Sequence, residues 1–296
     1  MTRALHGATV ANGDQRRVCP LLERPTPTCR LAYAPAPWVL VKCLESGFVF
    51  LENPPGYAAL EEDYAWEITS PSESRARREA EPVLYRASIV IKRFRHRVLR
   101  RNKTAAIVRD VIMRLESGPI NVVDLGCGRG LLLRDIIGSL PQRWRDACVP
   151  HGVEISRGLA AIANQALSAC GGACLQASAL EGLNHFEEHS LDVIVMCSFL
   201  EHEIHPLPLL RECVRRLRPG GVVVVKVPNF ASANRWLRKV RWCGFRWPDH
   251  VNYFTPRTLR AMAAAAGLRV ARMSLLDRQI FSDNMYAVFR HAQELP

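Results

Sequence analysis

No uninterrupted apolar run in the sequence approaches the roughly 18 residues that a membrane-spanning helix needs. Residues 1–14 also lack the apolar core of a secretory signal peptide. We therefore expect a globular protein located in the cytoplasm. The 296 residues, of which 48% are hydrophobic, suffice for one large core or for a main domain with a smaller appendage.

The sequence also lacks the close-set cysteine framework of a small secreted protein. Its ten cysteines are scattered through segments that read as strands and helices, such as 195–198 and 212–214. We expect most of them to be reduced side chains in the core.

Acidic residues are scarce relative to basic ones. The 28 Asp and Glu residues stand against 40 Lys and Arg residues, which gives a net charge of +12. This charge suits an anionic partner, and nucleic acid, a phosphorylated metabolite and a membrane surface all remain open.

The composition of the chain changes near residue 79. Residues 1–78 are rich in proline and contain only short strand-like runs, which predicts a small loop-rich appendage. A basic amphipathic helical pattern follows over about 79–115, most simply a solvated charged face, with contact to a membrane surface or nucleic acid as the alternative. Residues 79–296 are expected to form one domain.

Strand and helix patterns then alternate along that domain. Strands are predicted at 120–124, 149–154, 173–177, 191–197, 221–227, 268–275 and 283–290, and helices at 129–139, 156–169, 206–217 and 256–266. Such alternation predicts an α/β fold with a mostly parallel, seven-stranded sheet and helices on both faces.

A glycine-spaced turn directly follows the first of these strands. Residues 122–130 read Val-Val-Asp-Leu-Gly-Cys-Gly-Arg-Gly, and the three glycines leave backbone amides open to a ligand. The dinucleotide pattern G-x-G-x-x-G requires glycine at 131, where this chain has Leu131, so nicotinamide cofactors are disfavoured. A purely structural tight turn is the alternative.

Two acids flank this turn. Glu154 ends the second strand at the same edge of the sheet, where a carboxylate can accept both hydroxyls of a ribose; a helix-capping role is the alternative. Asp124 directly precedes the turn and is expected to fix the turn's amides, to face a cationic ligand group, or to do both.

The next motifs arrive in a characteristic order. A strand over 191–197 leads to Glu201-His202, a helix follows, and Leu217-Arg-Pro-Gly-Gly precedes a hydrophobic strand. Further on stand Trp247-Pro-Asp-His-Val-Asn-Tyr-Phe-Thr and a helix that ends in Ala265-Ala-Gly-Leu. Over roughly residues 80–290 the chain resembles the class I S-adenosylmethionine-dependent methyltransferases, in the branch with an aromatic-flanked histidine in its later segment.

The resemblance implies a Rossmann-like sheet with a reversed last strand, and S-adenosyl-L-methionine lying across the carboxyl ends of the first strands. It places the cofactor site at Asp124, Gly126, Cys127, Gly128, Gly130, Glu154, Ile155, Ser178, Ala179 and Cys197. Where the branch often has Gly-Asp to hold the adenine amine, this chain has Ser178, which accepts a hydrogen bond more weakly than a carboxylate does.

Methyl transfer to oxygen or nitrogen is an in-line displacement, so the protein aligns the acceptor and supplies a base. His250 and His202 are the candidate bases, with Glu201 beside His202 at a strand end. For His202 a structural role is as good an interpretation as a contact with substrate. If His250 is the base, its replacement by Ala lowers turnover and leaves cofactor binding intact.

A segment rich in arginine and tryptophan, residues 234–247, falls after the fifth strand, where this fold usually builds its acceptor pocket. Cationic and aromatic side chains together suit a phosphorylated, aromatic or interfacial acceptor. The alternative is a helix that packs Trp236, Leu237 and Val240 inward and leaves its arginines in water.

The N-terminal appendage, residues 1–78, resembles the small zinc ribbon that opens many relatives. Cys19-Pro-Leu-Leu and Cys43-Leu-Glu-Ser correspond to its two Cys-x-x-Cys knuckles, but Leu22 and Ser46 replace the second cysteine of each. We expect a degenerate ribbon that keeps its shape and holds no metal, because tetrahedral zinc needs four strong ligands.

The sequence thus predicts an S-adenosylmethionine-dependent methyltransferase that acts on an oxygen of a small-molecule, sugar or lipid-linked acceptor, with nitrogen or carbon as the alternative acceptor atoms. Peripheral membrane contact is an open alternative. A dehydrogenase-like nucleotide binder and a non-catalytic methyltransferase-like scaffold are its rivals. Nucleic acid is disfavoured as a substrate, because Cys197-Ser-Phe-Leu stands where an Asn-Pro-Pro-Tyr/Phe signature belongs. The acceptor and the oligomeric state are not fixed by any motif.

Overall fold

The computed structural model describes residues 16–56, 102–115, 118–278 and 282–293. The predicted domain boundary at 78/79 and most of the predicted basic helix before residue 103 lie outside these residues. Among the helices within them, none has the length and apolar character that crossing a membrane requires.

Eleven strands and eight α-helices make up the described part of the chain. The strands are β1 (Thr28–Leu31), β2 (Leu40–Cys43), β3 (Val49–Leu51), β4 (Ile120–Leu125), β5 (Cys148–Glu154), β6 (Ala173–Gln176), β7 (Leu191–Cys197), β8 (Leu217–Pro228), β9 (Asn252–Tyr253), β10 (Leu268–Arg272) and β11 (Asn284–His291). The helices are α1 (Lys103–Ile112), α2 (Leu131–Ser139), α3 (Gln142–Ala147), α4 (Arg157–Ser168), α5 (Ala179–Leu183), α6 (Pro206–Arg216), α7 (Ala233–Arg238) and α8 (Pro256–Ala265).

Seven of the strands form the main sheet, in the order β10-β11-β8-β7-β4-β5-β6. Strands β6, β5, β4, β7 and β8 pair in parallel, and β11 pairs antiparallel with both β8 and β10. The prediction of a seven-stranded, mostly parallel sheet with a reversed last strand is confirmed. The strand order changes direction at β4, so the glycine turn lies at the edge where open α/β sheets bind ligands.

Helices cover both faces of this sheet, as predicted. The central strand β8 shows how: Val223 and Val225 pack into a core with α5, α6 and α8, while Val222 and Val224 pack into a second core with α1 and α2. A run of four consecutive valines is typical of a parallel strand that is buried on both sides.

Several predicted boundaries shift for identifiable reasons. Helix α2 begins at Leu131 instead of residue 129, because Gly130 has a φ of +70° and serves as the N-cap. Strand β10 ends at Arg272 instead of residue 275. The chain forms a 3-10 turn after it, because the carboxylate of Asp277 accepts hydrogen bonds from the backbone N–H and the hydroxyl of Ser274. Helices α3, α5 and α7 have six residues or fewer; α3 and α5 were not predicted, whereas a helix at α7 was one of two interpretations of its segment.

A second sheet, in the order β1-β2-β3-β9, joins the N-terminal segment to the main domain through β9. Near one end of it, the hydroxyl of Ser46 lies 3.4 Å from the sulfur of Cys19, and the backbone N–H of Ser46 donates to the sulfur of Cys43. Ser46 thus stands beside the two cysteines that the ribbon resemblance aligned. All ten cysteines are free thiols, and the absence of metal from the ribbon stays a prediction.

The close approach of Gly172 to strand β5 predicts a matched pair of glycine variants. A Cβ atom at Gly172 would lie 1.9 Å from the carbonyl oxygen of Pro150, whereas one at Gly138, in α2, would meet nothing within 4 Å. We expect Gly172→Ala to lower the free energy of unfolding by about a few kcal/mol. Gly138→Ala should leave the free energy of unfolding unchanged or raise it by up to about 1 kcal/mol. Urea unfolding measures both free energies, and equal effects of the two variants would contradict the close approach.

Candidate functional site

A cavity of about 500 Å³ opens at the carboxyl ends of β4, β5, β6 and β7, within the range of about 300–1,000 Å³ typical of small-molecule sites. Eight of the ten predicted cofactor residues line it: Gly126, Cys127, Gly128, Glu154, Ile155, Ser178, Ala179 and Cys197. The other two, Asp124 and Gly130, are not in its lining. Their predicted roles in binding remain predictions.

The glycine turn is held by the end of the neighbouring strand. The backbone amides of Gly126 and Cys127 donate to the carbonyl of Val153, at 2.8 and 3.2 Å. Gly126 has a φ of +69°, and a Cβ atom there would lie 2.3 Å from the ring of Phe199. Glycine is therefore required at 126 by both the backbone conformation and a close approach.

Glu154 completes the support of this turn. One carboxylate oxygen accepts from the backbone N–H of Gly128 at 2.8 Å, and the other accepts from that of Ser156 at 3.0 Å. Glu154 is 8% exposed and still lines the cavity. The carboxylate of Glu154 therefore supports the turn from a position in the cavity wall.

Asp124 lies beneath the turn and is 2% exposed. Its Oδ1 atom is buried and has no hydrogen-bond partner among the described residues. Burial, followed by the nearby charge of Glu154, raises the pKa of Asp124 to about 8. The turn amides of Gly126 and Cys127 donate to Val153 and not to Asp124, and the contact of Asp124 with a cationic ligand group stays a prediction.

Ser178 combines a capping role with a place in the cavity wall. Its hydroxyl donates to Glu181 at 2.7 Å and accepts from the backbone N–H of Glu181 at 3.3 Å, which forms the N-terminal capping box of α5. Since the hydroxyl proton is already given to Glu181, Ser178 can offer a ligand only an acceptor. This matches a ligand that donates from an exocyclic amine.

The structure brings the three predicted catalytic residues together, but they differ in whether they line the cavity. The rings of His202 and His250 lie 4.6 Å apart in an edge-to-face arrangement, and His202 alone of the three lines the cavity. Nδ1 of His202 donates to the carbonyl of Asp249 at 2.9 Å, and Nδ1 of His250 donates to that of Gly244 at 2.8 Å. A carbonyl only accepts, so each ring keeps the lone pair on Nε2.

Burial dominates the protonation of this cluster. Burial and the charge of Arg246 lower the pKa of His202 to about 4, and burial together with His202 and Arg246 lowers that of His250 well below its usual value. Burial raises the pKa of Glu201 to about 7, and its Oε2 has no hydrogen-bond partner among the described residues. Both imidazoles are therefore neutral near pH 7.

The motif around His250 clamps the loop that carries His202. The backbone amides of Val251 and Asn252 donate to the carbonyl of Glu201. The side-chain amide of Asn252 donates to the carbonyls of Leu200 and Glu203. The motif therefore fixes the position of His202 relative to the cavity.

Glu201, His202 and His250 also offer potential metal-ligating atoms within 4.8 Å of one another. Two positive side chains act on this set, because Arg246 and Lys226 both lower the pKa of His250 and favour ionisation of Glu201. A divalent cation would bind against the field of these two charges. The arrangement suits proton transfer better than metal binding.

Sequence reasoning missed Lys226 and Ser198, which also line the cavity. The ammonium of Lys226 donates to the hydroxyl of Ser198 at 2.8 Å, and Ser198 has a φ of +57°. The sequence signal that could have indicated Lys226 is a single lysine directly after four valines in β8. Non-glycine residues in this conformation concentrate at functional sites.

The alternative interpretation of the arginine–tryptophan segment is wrong in one respect. Trp236, Leu237 and Val240 do not pack inward; they are 77%, 78% and 58% exposed. The structure instead buries Trp242, whose indole N–H donates to Asp283 at 2.7 Å. Residues 234–247 contribute no residue to the described cavity lining. Asp249, which follows this segment, is part of that lining.

Comparison with known proteins agrees with this architecture. A family model for a methyltransferase domain matches residues 91–272, more than half of the chain. The chain is 28% identical over 155 residues to a ubiquinone biosynthesis O-methyltransferase of Idiomarina loihiensis and 26% identical over 160 residues to one of Neisseria meningitidis. These matches cover 50% and 51% of this chain but only 60% and 64% of the relatives, so the chain spans less than two thirds of their length.

Among solved structures, a chain in the complex between the Haloferax volcanii Trm112 methyltransferase activator and a methyltransferase is similar, with a TM-score of 0.50. The two chains are 16% identical, and the match covers 69% of this chain and 95% of that one. At this identity the likeness shows the fold alone.

The raised pKa of Asp124 predicts a distinct pH dependence of stability. With a folded pKa of about 8 and an unfolded pKa of about 3.9, the folded state holds a proton that the unfolded state has lost. The free energy of unfolding should therefore fall as pH rises from about 5 to 8, by up to about 1.4 kcal/mol per pH unit from this group. Asp124→Asn should remove that slope, as measured by urea unfolding across the same range.

Asp135→Asn is the matched control, because the Asp135 side chain is 64% exposed. It should leave the slope of the wild type in place. An Asp124→Asn variant whose slope equals that of the wild type would mean that Asp124 is ionised in the folded protein.

Proposed function

This chain belongs to the class I S-adenosylmethionine-dependent methyltransferases, and from that premise we propose that it transfers a methyl group to a hydroxyl oxygen of a small molecule. The observation that carries the proposal is the single cavity at the sheet edge, which gathers Glu154, Ser178 and the glycine turn on one side and His202 on the other. The family's cofactor, S-adenosylmethionine, supplies an electrophilic methyl group on a sulfonium.

On the cofactor side, we assign Glu154 to the ribose hydroxyls and the oxygen of Ser178 to the adenine amine. Asp124 and the backbone around Cys197 face the methionine moiety. The fit is supported by the unpartnered Oδ1 of Asp124 and by the space over Gly128, where a Cβ atom would meet nothing within 4 Å. A positively charged ligand group would favour ionisation of Asp124, as a nearby opposite charge does.

On the acceptor side, Phe199, His202, Glu203, Lys226 and Asp249 line the cavity. These residues combine an aromatic ring with groups of both charges, which suits a ring that carries hydroxyl substituents. The two curated relatives are named for ubiquinone biosynthesis, and a phenolic ring that carries a lipid chain is the acceptor class we propose first. Sugar hydroxyls are the second class to test.

We assign the base to His202. Its Nδ1 hydrogen bond to Asp249 orients the ring and leaves Nε2 to accept the proton of the acceptor hydroxyl. Glu201, whose ligating oxygen lies within 4.8 Å of the ring nitrogens, is ionised above about pH 7 and stabilises the imidazolium that forms. His250 supports the ring of His202 from behind, as a positioning residue.

Cofactor binding is the first test of this proposal. Calorimetric titration of the full chain with S-adenosylmethionine should show saturable binding, and Glu154→Gln should weaken it by about tenfold or more, since it removes charged hydrogen bonds. Glu187→Gln is the matched control, because Glu187 is exposed and lies outside the described cavity lining. NADH should not compete.

Absence of S-adenosylmethionine binding to the wild type would favour a non-catalytic scaffold. Binding that NADH displaces would instead favour a dehydrogenase-like nucleotide binder.

The two histidines are distinguished by their effects on turnover. With a prenylated catechol as the probe acceptor, His202→Ala should lower kcat by about 10²-fold or more and leave the affinity for S-adenosylmethionine within about threefold of the wild type. His250→Asn, which retains an N–H near the carbonyl of Gly244, should have a smaller effect on kcat. The opposite ranking, with cofactor affinity intact in both variants, would assign the base to His250.

A further inference from the structure

Three large apolar side chains stand within five residues on the surface of α7 and the 3-10 turn that follows it. Trp236 is 77% exposed, Leu237 is 78% exposed and Val240 is 58% exposed. Isolated apolar residues are ordinary on protein surfaces, but a group of this size marks an interaction site.

This surface is held in place from below. Trp242 and Asn234 both donate side-chain hydrogen bonds to Asp283, at 2.7 and 3.3 Å. The guanidinium of Arg235 lies 4.3 Å from the ring centre of Phe230 and donates to the hydroxyl of Tyr33. The exposed side chains are therefore presented by an anchored segment and not by a loose loop.

Positive charge surrounds the apolar group. Residues 230–248 contain no Asp or Glu, whereas Arg235, Arg238, Lys239, Arg241 and Arg246 all fall within them. Lys239 and Arg241 are exposed, directly beside Val240. Tryptophan and leucine interleaved with basic residues are typical of segments that lie in a membrane interface.

We propose that residues 235–241 dock on an anionic membrane surface. Trp236, Leu237 and Val240 enter the boundary between headgroups and acyl chains, and Lys239 and Arg241 contact the phosphates of the headgroups. A nucleic-acid partner fits less well, because Leu237 and Val240 gain nothing from a phosphate backbone or from stacking on bases.

The chain runs from the docking surface to a residue of the cavity wall. Arg246 forms an ion pair with Asp249 at 3.1 Å, and Asp249 lines the cavity. If the proposed function holds, docking would favour a lipid-linked acceptor. Docking itself does not depend on methyl transfer, and its test needs neither cofactor nor acceptor.

The test is co-sedimentation of the full chain with vesicles of phosphatidylcholine alone or mixed with phosphatidylglycerol. The wild type should bind the mixed vesicles, with an affinity that falls as salt rises. The double variant Trp236→Ser/Leu237→Ser should weaken this binding by about tenfold or more. Lys239→Gln and Arg241→Gln should each weaken it by about fivefold.

Ile162→Ser is the matched control, because Ile162 is 46% exposed on α4, which packs on β5 and β6 at the far edge of the main sheet. It should bind vesicles as the wild type does. All the altered side chains are exposed, so each variant should keep the melting temperature of the wild type.

Three outcomes would overturn the proposal. The first is absence of binding to mixed vesicles. The second is binding that the Trp236→Ser/Leu237→Ser variant retains, which would leave charge alone as the cause. The third is a dimer of the wild type that this variant dissociates, which would make a second copy of the chain the occupant. None of these outcomes bears on the titration with S-adenosylmethionine.

Discussion

The end of β5 holds the turn that follows β4, and the candidate site depends on this one connection. Val153 accepts from the amides of Gly126 and Cys127, and Glu154 accepts from the amide of Gly128. These bonds satisfy three backbone donors of a turn whose glycines adopt left-handed conformations. The same carboxylate lines the cavity, so the group that shapes the turn is also part of the cavity wall.

A second loop completes the cavity in a similar way. The segment that carries Glu201 and His202 follows β7, and residues 251 and 252 fix it from the opposite side. Asn252 also begins β9, which pairs with β3 of the N-terminal sheet. The N-terminal segment therefore contributes to the site indirectly, by supporting the strand that clamps the histidine loop.

Local signals allowed much of this structure to be predicted. The alternation of strands and helices was sufficient for the seven-stranded sheet, and the spacing of Gly126, Gly128 and Gly130 located the edge at which the cavity opens. Contacts between distant segments were not predictable. Trp242 is buried and donates to Asp283 whereas Trp236 is exposed, and the contact of Lys226 with Ser198 depends on the pairing of β7 with β8. A helical apolar pattern cannot tell which of two tryptophans the fold buries.

Charge is distributed unevenly between the surface of this protein and its cavity. The sequence carries a net charge of +12, yet the carboxyl groups of Asp124 and Glu154 are buried together beneath the turn. In an environment of low polarity each carboxylate opposes ionisation of the other, which contributes to the raised pKa of Asp124. A ligand that brings positive charge to this place relieves that repulsion, whereas a pyrophosphate would add to it. Beside the turn, these two carboxyl groups thus favour a sulfonium over a pyrophosphate, for an electrostatic reason that is independent of the glycine spacing.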